Sequence, residues 1–331
     1  MVTAAVVIAT YRRPDDVARC LDAIGRQTRP PDELVVVDAS PDTLTRDLVA
    51  ARPGVTYLRN EAGMGTLPTS RAIGIRATRS DVVAFLDDDS VVRPDWLMRL
   101  LEPYDAPHVG AVGGRVVNNE DEVAAADPSR VGRLLGDGSL TGNFAADTGS
   151  VVKVDHLLGA NMSYRRTAMA AVGGTHEFYP GTSAREDSDM GLRLTRAGWD
   201  VMFAPEAAVD HISGEYAKGR RFDRRYHYYT QRNHVVLLSR VFGLGSPYLR
   251  RYAGRAIGDV FSALRESLDG SRIEGRRTPY RRVRSLVAGA TRAGADLAGV
   301  LAGAGAAVVL RARLGKPPVP VAPDEVANGL R

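Results

Sequence analysis

The segment Val82-Val-Ala-Phe-Leu-Asp-Asp-Asp89 joins a run of apolar residues to three consecutive aspartates. The apolar run predicts a buried strand, which would deliver three carboxylates at its carboxyl end. Like charges this close repel one another unless a cation lies between them, and hard carboxylate oxygens suit Mg²⁺ or Mn²⁺. Taken alone, the triplet fits equally well a solvated acidic turn in which Asp89 caps a helix that begins near Pro94.

Around this segment, the first ninety residues alternate short apolar runs with amphipathic stretches. Strands are predicted at 3–9, 33–38, 55–59 and 82–86, and helices at 14–27, 42–51 and 66–78. This βαβ order predicts an α/β fold with a mainly parallel sheet flanked by helices. In such sheets, ligands bind beyond the carboxyl ends of the strands. The polar residues expected at that edge are Tyr11, Asp38, Asn60 and Asp87.

The later chain changes character. A stretch rich in Gly, Asn and Asp from 105 to 150 is predicted to be mostly loop around a strand at 109–118. A strand-like segment at 159–165, a helix at 186–197 and a strand at 199–204 follow. Basic helices are then expected at 221–243 and 250–268, and an Ala/Gly-rich segment at 285–314. Its uninterrupted apolar run, Leu297 to Leu310, is too short to span a bilayer, so no transmembrane segment is predicted.

These patterns predict three parts of the chain. Residues 1–105 would form the nucleotide-binding half of a catalytic domain, and residues 106–235 its acceptor and catalytic half. Residues 236–331 would form a helical C-terminal extension with a loose terminus. The sequence leaves open whether this extension packs on its own core, forms a homo-oligomer, or rests on a membrane.

Composition sets broad limits. The chain has 331 residues, of which 44% are hydrophobic and 25% charged, which is ordinary for a globular protein. A formal net charge of +5 suits anionic ligands but falls short of a nucleic-acid-binding signature, so no nucleic-acid partner is expected. The single cysteine, Cys20, cannot form an intramolecular disulfide and is predicted to fill the core. With no signal-peptide pattern at the N-terminus, a cytoplasmic location is expected.

Three further sites carry candidate chemistry. Asp38, at a strand end, could accept hydrogen bonds from a nucleoside, although a turn residue is the simpler interpretation. Glu186 and Asp187 begin a helix, where acidic residues are common for stability alone but where a general base could also lie. His211 follows a strand and could complete a divalent-ion site, although a lone histidine is more often structural.

Taken together and in order, these segments resemble the inverting family 2 glycosyltransferases with the GT-A fold, over residues 3–235. The matching stretches are Val6–Pro14, Gln27–Asp38, Asn60–Gly63, Thr69–Gly74, Phe85–Asp89, Gly159–Arg165, Glu186-Asp187 and His211. The resemblance implies that a sugar is transferred from a nucleoside-diphosphate sugar, linked to UDP, dTDP or GDP, to a hydroxyl acceptor such as a cell-envelope glycan, a lipid-linked glycan or a small molecule.

The same resemblance implies roles for individual residues. Asp89 would bind Mn²⁺ or Mg²⁺ with Asp87 and His211, and Asp187 would be the general base, with Glu186 as the second candidate. Asp88 is interpreted either as part of the donor site or as structural. The donor-binding set implied is Thr10, Tyr11, Arg12, Asp38, Asn60, Arg71, Asp87 and Asp88.

Two departures from the family pattern narrow the expectation. Ala72 stands where many relatives carry Asn, and Gln231-Arg-Asn-His234 lacks the QxxRW pattern of processive synthases, which favours single addition. A catalytically idle binding module is the main alternative, and a nucleotidyltransferase is disfavoured because Thr10–Pro14 is not a glycine-rich phosphate loop. The remaining expectation concerns location: the C-terminal extension is expected to make peripheral contact with the inner face of a membrane.

Overall fold

A computed structural model describes residues 2–212, 224–268, 279–316 and 321–329. Within them, nine strands form one mixed sheet in the order β3-β2-β1-β4-β8-β6-β9-β5, and β7 pairs with β9. The strands are β1 (Ala4–Thr10), β2 (Glu33–Asp38), β3 (Val55–Arg59), β4 (Val82–Asp87), β5 (Ser90–Val92), β6 (Val109–Val117), β7 (Val152–Lys153), β8 (Asn161–Arg165) and β9 (Asp200–His211).

The first half of the sheet is the parallel unit predicted from the sequence. Strands β3, β2, β1 and β4 run parallel and are connected by α1 (Pro14–Ile24), α2 (Leu44–Ala50) and α3 (Leu67–Ala77). Helix α3 lies very close to the sheet, because a Cβ at Gly74 would be 2.3 Å from Val7 Cγ1. Cys20, on the buried side of α1, fills the core, as predicted. The carboxyl ends of β1, β2 and β4 therefore meet at one edge.

The second half adds antiparallel strands that bring distant residues to that edge. Strand β8 runs antiparallel to both β4 and β6, and β9 runs parallel to β6. The strand predicted at 199–204 in fact continues to His211, because β5 pairs with its far end and aligns Ser90 with His211. His211 is thus held in a strand beside the aspartates rather than in a loop.

The segment from 105 to 150 is more ordered than its composition suggested. After α4 (Trp96–Leu101) and β6, it contains helix α5 (Glu120–Ala125) and a bridge between Leu134 and Leu140. Asp155 Oδ2 accepts a hydrogen bond from the Leu134 backbone N–H at 2.7 Å, which anchors this turn to the core. Apart from α5, a 3-10 turn at Pro128–Arg130 and this bridge, the stretch after β6 is irregular, as predicted, and its order comes from long-range side-chain anchors that leave no local sequence pattern.

Helices α6 (Arg166–Ala171) and α7 (Glu186–Arg196) come next. Among the described residues of the C-terminal part, four more helices follow: α8 (Arg224–Phe242), α9 (Pro247–Leu268), α10 (Pro279–Leu314) and α11 (Pro323–Gly329). Helix α8 is buried from Asn233 to Val241 and packs between the catalytic half and α10. Glycines at 299 and 303 allow that packing, since a Cβ at either would lie within 3 Å of the α8 backbone. The division at residue 235 stays a prediction, and α8 runs through it without a break.

The prediction that no segment could span a membrane needs correction. Helix α10 is continuous through Arg292 and Asp296, so Gly289–Leu314 is long and apolar enough to cross a bilayer by length and composition alone. Asp296 is accommodated because its Oδ1 lies 3.1 Å from His227 Nδ1 on α8. Counting only the uninterrupted run from Leu297 to Leu310 underestimated this helix.

Candidate active site

Two carboxylates and one imidazole converge where β4 and β9 end. One ligand atom from each of Asp87, Asp89 and His211 lies within 4.8 Å of the others. His211 Nε2 is 2.9 Å from Asp89 Oδ1 and 3.9 Å from Asp87 Oδ2. Strand pairing explains the grouping, since β5 and β9 join directly after the triplet and Ile212 N–H donates to the Asp89 carbonyl at 2.9 Å.

The donor set fits a divalent cation. His211 Nδ1 lies 2.8 Å from Asn118 Oδ1, an arrangement that places the proton on Nδ1 and turns the Nε2 lone pair toward the two carboxylates. Among the residues that the structure describes, none donates a hydrogen bond of good geometry to the buried Asp89 Oδ1. Three acceptors facing one another are unfavourable without a positive charge between them, and carboxylate and imidazole ligands suit Mn²⁺ or Mg²⁺.

The middle aspartate turns away from this group. Asp88 accepts a hydrogen bond from Thr10 Oγ1 at 2.8 Å and pairs with Arg13 Nη1 at 3.0 Å. Burial raises the pKa of Asp88 to about 7, against the opposing effect of Arg13. Arg13 Nη1 also lies 3.0 Å from Asp89 Oδ2. Burial opposes ionisation of Asp89, but His211, when its imidazole is protonated at both nitrogens, and Arg13 outweigh burial and lower the pKa of this carboxyl.

A buried arginine connects the two acidic motifs. Arg71, on α3, is 3% exposed, and its guanidinium pairs with Glu186 at the start of α7. Its Nη2 donates to the Gly159 carbonyl at 3.0 Å and lies 3.4 Å from Asp87 Oδ1. Burial raises the pKa of Glu186, while Arg71 opposes that rise. Gly159 is required here, because a Cβ would be 2.8 Å from Arg71 Nη2.

Asp187, the next residue, faces a cavity instead. Its Oδ2 accepts the Gly159 N–H at 3.1 Å, and its Oδ1 accepts the Ser188 N–H at 2.8 Å. The cavity measures about 350 Å³ and is lined by Asn118, Leu140–Phe144, His156–Leu158, Arg185, Asp187 and Ser188, among others. Backbone donors thus orient the Asp187 carboxylate at a space of ligand size, whereas the Glu186 carboxylate is engaged by Arg71.

The backbone before α7 is strained. Ser183 has φ 55° and Arg185 has φ 76°, in the left-handed region that side-chain-bearing residues rarely adopt. Such strain persists only where surrounding contacts enforce it, and it is found most often at functional sites. Here Asn233 on α8 donates to the Ala184 carbonyl at 3.1 Å and to the Pro180 carbonyl at 3.2 Å. The segment that presents Asp187 is therefore held from behind by α8.

The remaining predicted donor residues lie at the same edge but differ in accessibility. Asp38 is fully buried, and its Oδ1 accepts the Ser40 N–H at 2.8 Å. Asn60 is also buried and bonds to Thr66 and Ser70, which shapes the β3–α3 turn. Tyr11 is half-buried and Arg12 exposed. Direct donor contact by these residues, and by the buried Thr10 and Arg71, stays a prediction.

Several residues of the site escaped sequence reasoning. Arg13 was visible in the Thr10–Pro14 turn, but nothing local indicated that it pairs with two aspartates 75 and 76 residues away. Asn118 orients His211 from the end of β6. His156 Nδ1 lies 3.2 Å from Ser188 Oγ, beside the base candidate. The available signal was only that each is a polar residue close to a predicted strand end or a glycine.

Comparison with known proteins agrees with this geometry. Residues 5–173 match the family model described as Glycosyl transferase family 2. The chain is 25% identical to the O-antigen chain rhamnosyltransferase RfbN of Salmonella typhimurium, over 80% of this chain and 79% of that protein. It is 35% identical to the galactofuranosyltransferase GlfT1 of Mycobacterium tuberculosis, over 38% of this chain and 43% of that protein.

A solved structure shares the fold. The mannosyltransferase PcManGT from Pyrobaculum calidifontis, in complex with GDP-Man and Mn²⁺, aligns with a TM-score of 0.57 at 17% sequence identity. The alignment covers 95% of this chain and 87% of that one, so it includes the C-terminal helices.

Proposed function

We propose a mechanism and a donor class for this chain, which belongs to glycosyl transferase family 2 and is a glycosyltransferase. Its fold is the GT-A fold predicted from the sequence. The proposed reaction is a single transfer of a sugar from a nucleoside-diphosphate sugar to a hydroxyl acceptor, with inversion at the anomeric carbon. The observation that carries this proposal is that the structure holds both a candidate metal-ligand group, formed by Asp87, Asp89 and His211, and a carboxylate that faces a cavity, that of Asp187.

The group formed by Asp87, Asp89 and His211 is proposed to receive the diphosphate of the donor. Asp89, Asp87 and His211 would hold Mn²⁺ or Mg²⁺, which when bound neutralises negative charge on a departing nucleoside diphosphate. Arg13 keeps Asp88 and Asp89 in place from the other side. That PcManGT is in complex with GDP-Man and Mn²⁺ supports this donor class, linked here to UDP, dTDP or GDP.

Asp187 is proposed to be the general base. It would take the proton of the acceptor hydroxyl as that oxygen attacks the anomeric carbon, while the bond from this carbon to the diphosphate oxygen breaks on the opposite face. Backbone N–H groups of Gly159 and Ser188 hold the carboxylate in one orientation, which limits the reorganisation needed before proton transfer. Glu186 is the weaker candidate because its carboxylate is paired with Arg71.

The acceptor is proposed to be a growing cell-envelope glycan or its lipid-linked precursor. The relative RfbN is an O-antigen chain rhamnosyltransferase, which supports a sugar-chain acceptor. Gln231-Arg-Asn-His234 lacks the processive pattern, which supports one addition per encounter. We place the reaction in the cytoplasm, where nucleotide sugars are made.

The test is Asp187→Asn, after a screen of UDP-, dTDP- and GDP-sugars with Mn²⁺ or Mg²⁺ has identified the donor by slow hydrolysis or thermal shift. The variant should lose transfer by about 10²- to 10⁴-fold but keep its donor affinity. Asp127→Asn is the matched control, because Asp127 Oδ1 likewise accepts the N–H and hydroxyl of the serine at 129, outside the cavity.

Three results would contradict parts of the proposal. Transfer by Asp187→Asn within about tenfold of the wild type would remove the base assignment. Full activity after exhaustive chelation would remove the metal claim. Retention of anomeric configuration, read from the product by NMR, would exclude a single displacement. A complete absence of donor binding across the panel would favour an idle binding module.

A further inference from the structure

The outward face of α10 carries no charge over the half of the helix from 293 to 310. From Ala293 to Leu310 the only charged residue is Asp296. Its Oδ1 faces α8, where it lies 3.1 Å from His227 Nδ1 and 3.4 Å from Gln231 Nε2. This span of an α-helix is roughly 27 Å long. An outward surface of this length without a polar side chain is unusual for a protein that meets only water.

Large apolar side chains project from this face. Leu301 is 64% exposed and Val308 58% exposed, and the exposed residues between them are alanine and glycine. On the neighbouring helix α9, Phe261 is 66% exposed. Only 28% of the most apolar window of α10 is buried within the protein. We call the outward side of α10 from 294 to 310 the apolar face.

The sequence around the apolar face is rich in positive charge. Residues 236–316 contain fifteen Arg and Lys residues but only five Asp and Glu residues. Arg313 and Lys316 are exposed just beyond the C-terminal end of the face. On α9, Arg265 is exposed four residues after Phe261, whereas the exposed Arg255 is ion-paired with Asp137 and Asp259. An apolar strip with cations beyond its C-terminal end matches a lipid interface with anionic headgroups, which attract nearby Arg and Lys side chains.

We propose that the apolar face docks on the surface of a lipid bilayer that contains anionic headgroups. The charges disfavour a second copy of the chain as the occupant, because a two-fold pairing of α10 would bring arginines against arginines at the ends of the face. The packing disfavours a span, because α10 would have to leave the close contact of Gly299 and Gly303 with α8 and carry Asp296 into hydrocarbon. The docking does not depend on the proposed reaction.

The test is flotation of the full-length protein with vesicles of phosphatidylcholine containing about 30% phosphatidylglycerol, and with phosphatidylcholine alone. The wild type should float with the anionic vesicles only, and the bound fraction should fall severalfold between about 0.1 M and about 0.5 M NaCl. Leu301→Glu and Val308→Glu should each weaken binding by more than about tenfold, and Leu301→Gln should weaken it without adding charge.

Leu44→Glu on α2 is the matched control, because Leu44 is 59% exposed and Leu301 is 64% exposed. The two substitutions add the same charge, but Leu44 is far from the C-terminal helices in sequence. Three outcomes would overturn docking: no flotation of the wild type, equal loss in Leu44→Glu, or retention of the protein in membranes after alkaline carbonate extraction, which indicates a span. A lipid-free dimer that Leu301→Glu converts to monomer, measured by light scattering, would assign the face to self-association. The readout is binding, so a failed donor screen would leave this test unaffected.

Discussion

Replacing Arg71 by Met tests whether this residue positions the catalytic groups or binds the donor. The substitution keeps an aliphatic stem of similar length but removes the charge paired with Glu186, the hydrogen bond to the Gly159 carbonyl and the 3.4 Å contact with Asp87. The side chains of Arg71 and Glu186 are 4% and 6% exposed, so solvent cannot replace the lost partner. Removing one partner of a buried ion pair costs about 3–5 kcal/mol of unfolding free energy.

The pH dependence of that loss follows from Glu186. Burial already raises the pKa of its carboxyl, and the loss of Arg71 removes the opposing charge, so the pKa rises further. A carboxyl whose pKa is higher in the fold than in the unfolded chain stabilises the fold at low pH and loses this contribution as the pH rises. The stability gap between Arg71→Met and the wild type should therefore widen from pH 5 to pH 8, measured by chemical denaturation followed by circular dichroism.

A double-mutant cycle and steady-state kinetics complete the test. Arg71→Met and Glu186→Gln should be coupled by more than about 1 kcal/mol, because each disrupts the same pair. The kcat should fall by about tenfold to a hundredfold, as for a displacement approaching 1 Å, while KM for the donor changes little. Arg166→Met is the control, since Arg166 bonds to Ser80, Ile75 and Thr78 near the other end of α3. Coupling below about 0.5 kcal/mol, or a large rise in donor KM at unchanged kcat, would refute the positioning role.

Two further predictions concern pH and backbone space. Burial lowers the pKa of His234 and His156, so both stay neutral in the fold while the unfolded chain protonates, and the unfolding free energy should fall by up to about 1.4 kcal/mol per histidine per pH unit below about pH 6.5. A series of Tm measurements across pH should show a shallower slope for His234→Gln than for the wild type. An unchanged slope would contradict the assignment. Gly159→Ala should lower kcat about tenfold or more, because the added Cβ displaces Arg71. Gly136→Ala is the control and should leave the kinetics unchanged, because a Cβ at Gly136 meets nothing within 4 Å. Equal kinetics for the two variants would show that glycine is not needed at position 159.

The parallel half of the fold could be read from sequence because its signals are local. Strands β2 and β3 have the predicted bounds, since each is a short apolar run between turn residues. The far end of β9 could not be predicted in this way. Its last residues pair with β5, which lies 117 to 121 residues earlier in the chain, and no local pattern encodes such a partner.

The candidate site shows a second limit of sequence reasoning. The sequence predicted which polar residues gather at the sheet edge, and Asp87, Asp89 and His211 do meet there. It could not predict which way each side chain turns. Asp88 and Asn60 face inward to hydrogen-bond donors and acceptors of neighbouring loops, and that choice depends on partners supplied by the complete fold.

The inward-facing residues explain how two distant parts of the site can be aligned. The guanidinium of Arg71 contacts Asp87 on one side and the Gly159 carbonyl on another, and the Gly159 N–H in turn holds Asp187. A metal-ligand candidate and the proposed base are thus linked through one buried cation and one glycine. A shift of Arg71 should therefore disturb the alignment of Asp87 with Asp187, which lowers kcat while donor affinity changes little. Among the described residues, the Asp38 side chain bonds to Ser40 and Tyr57 and lies 3.8 Å from Arg59, so a substitution at Asp38 should disturb donor binding alone.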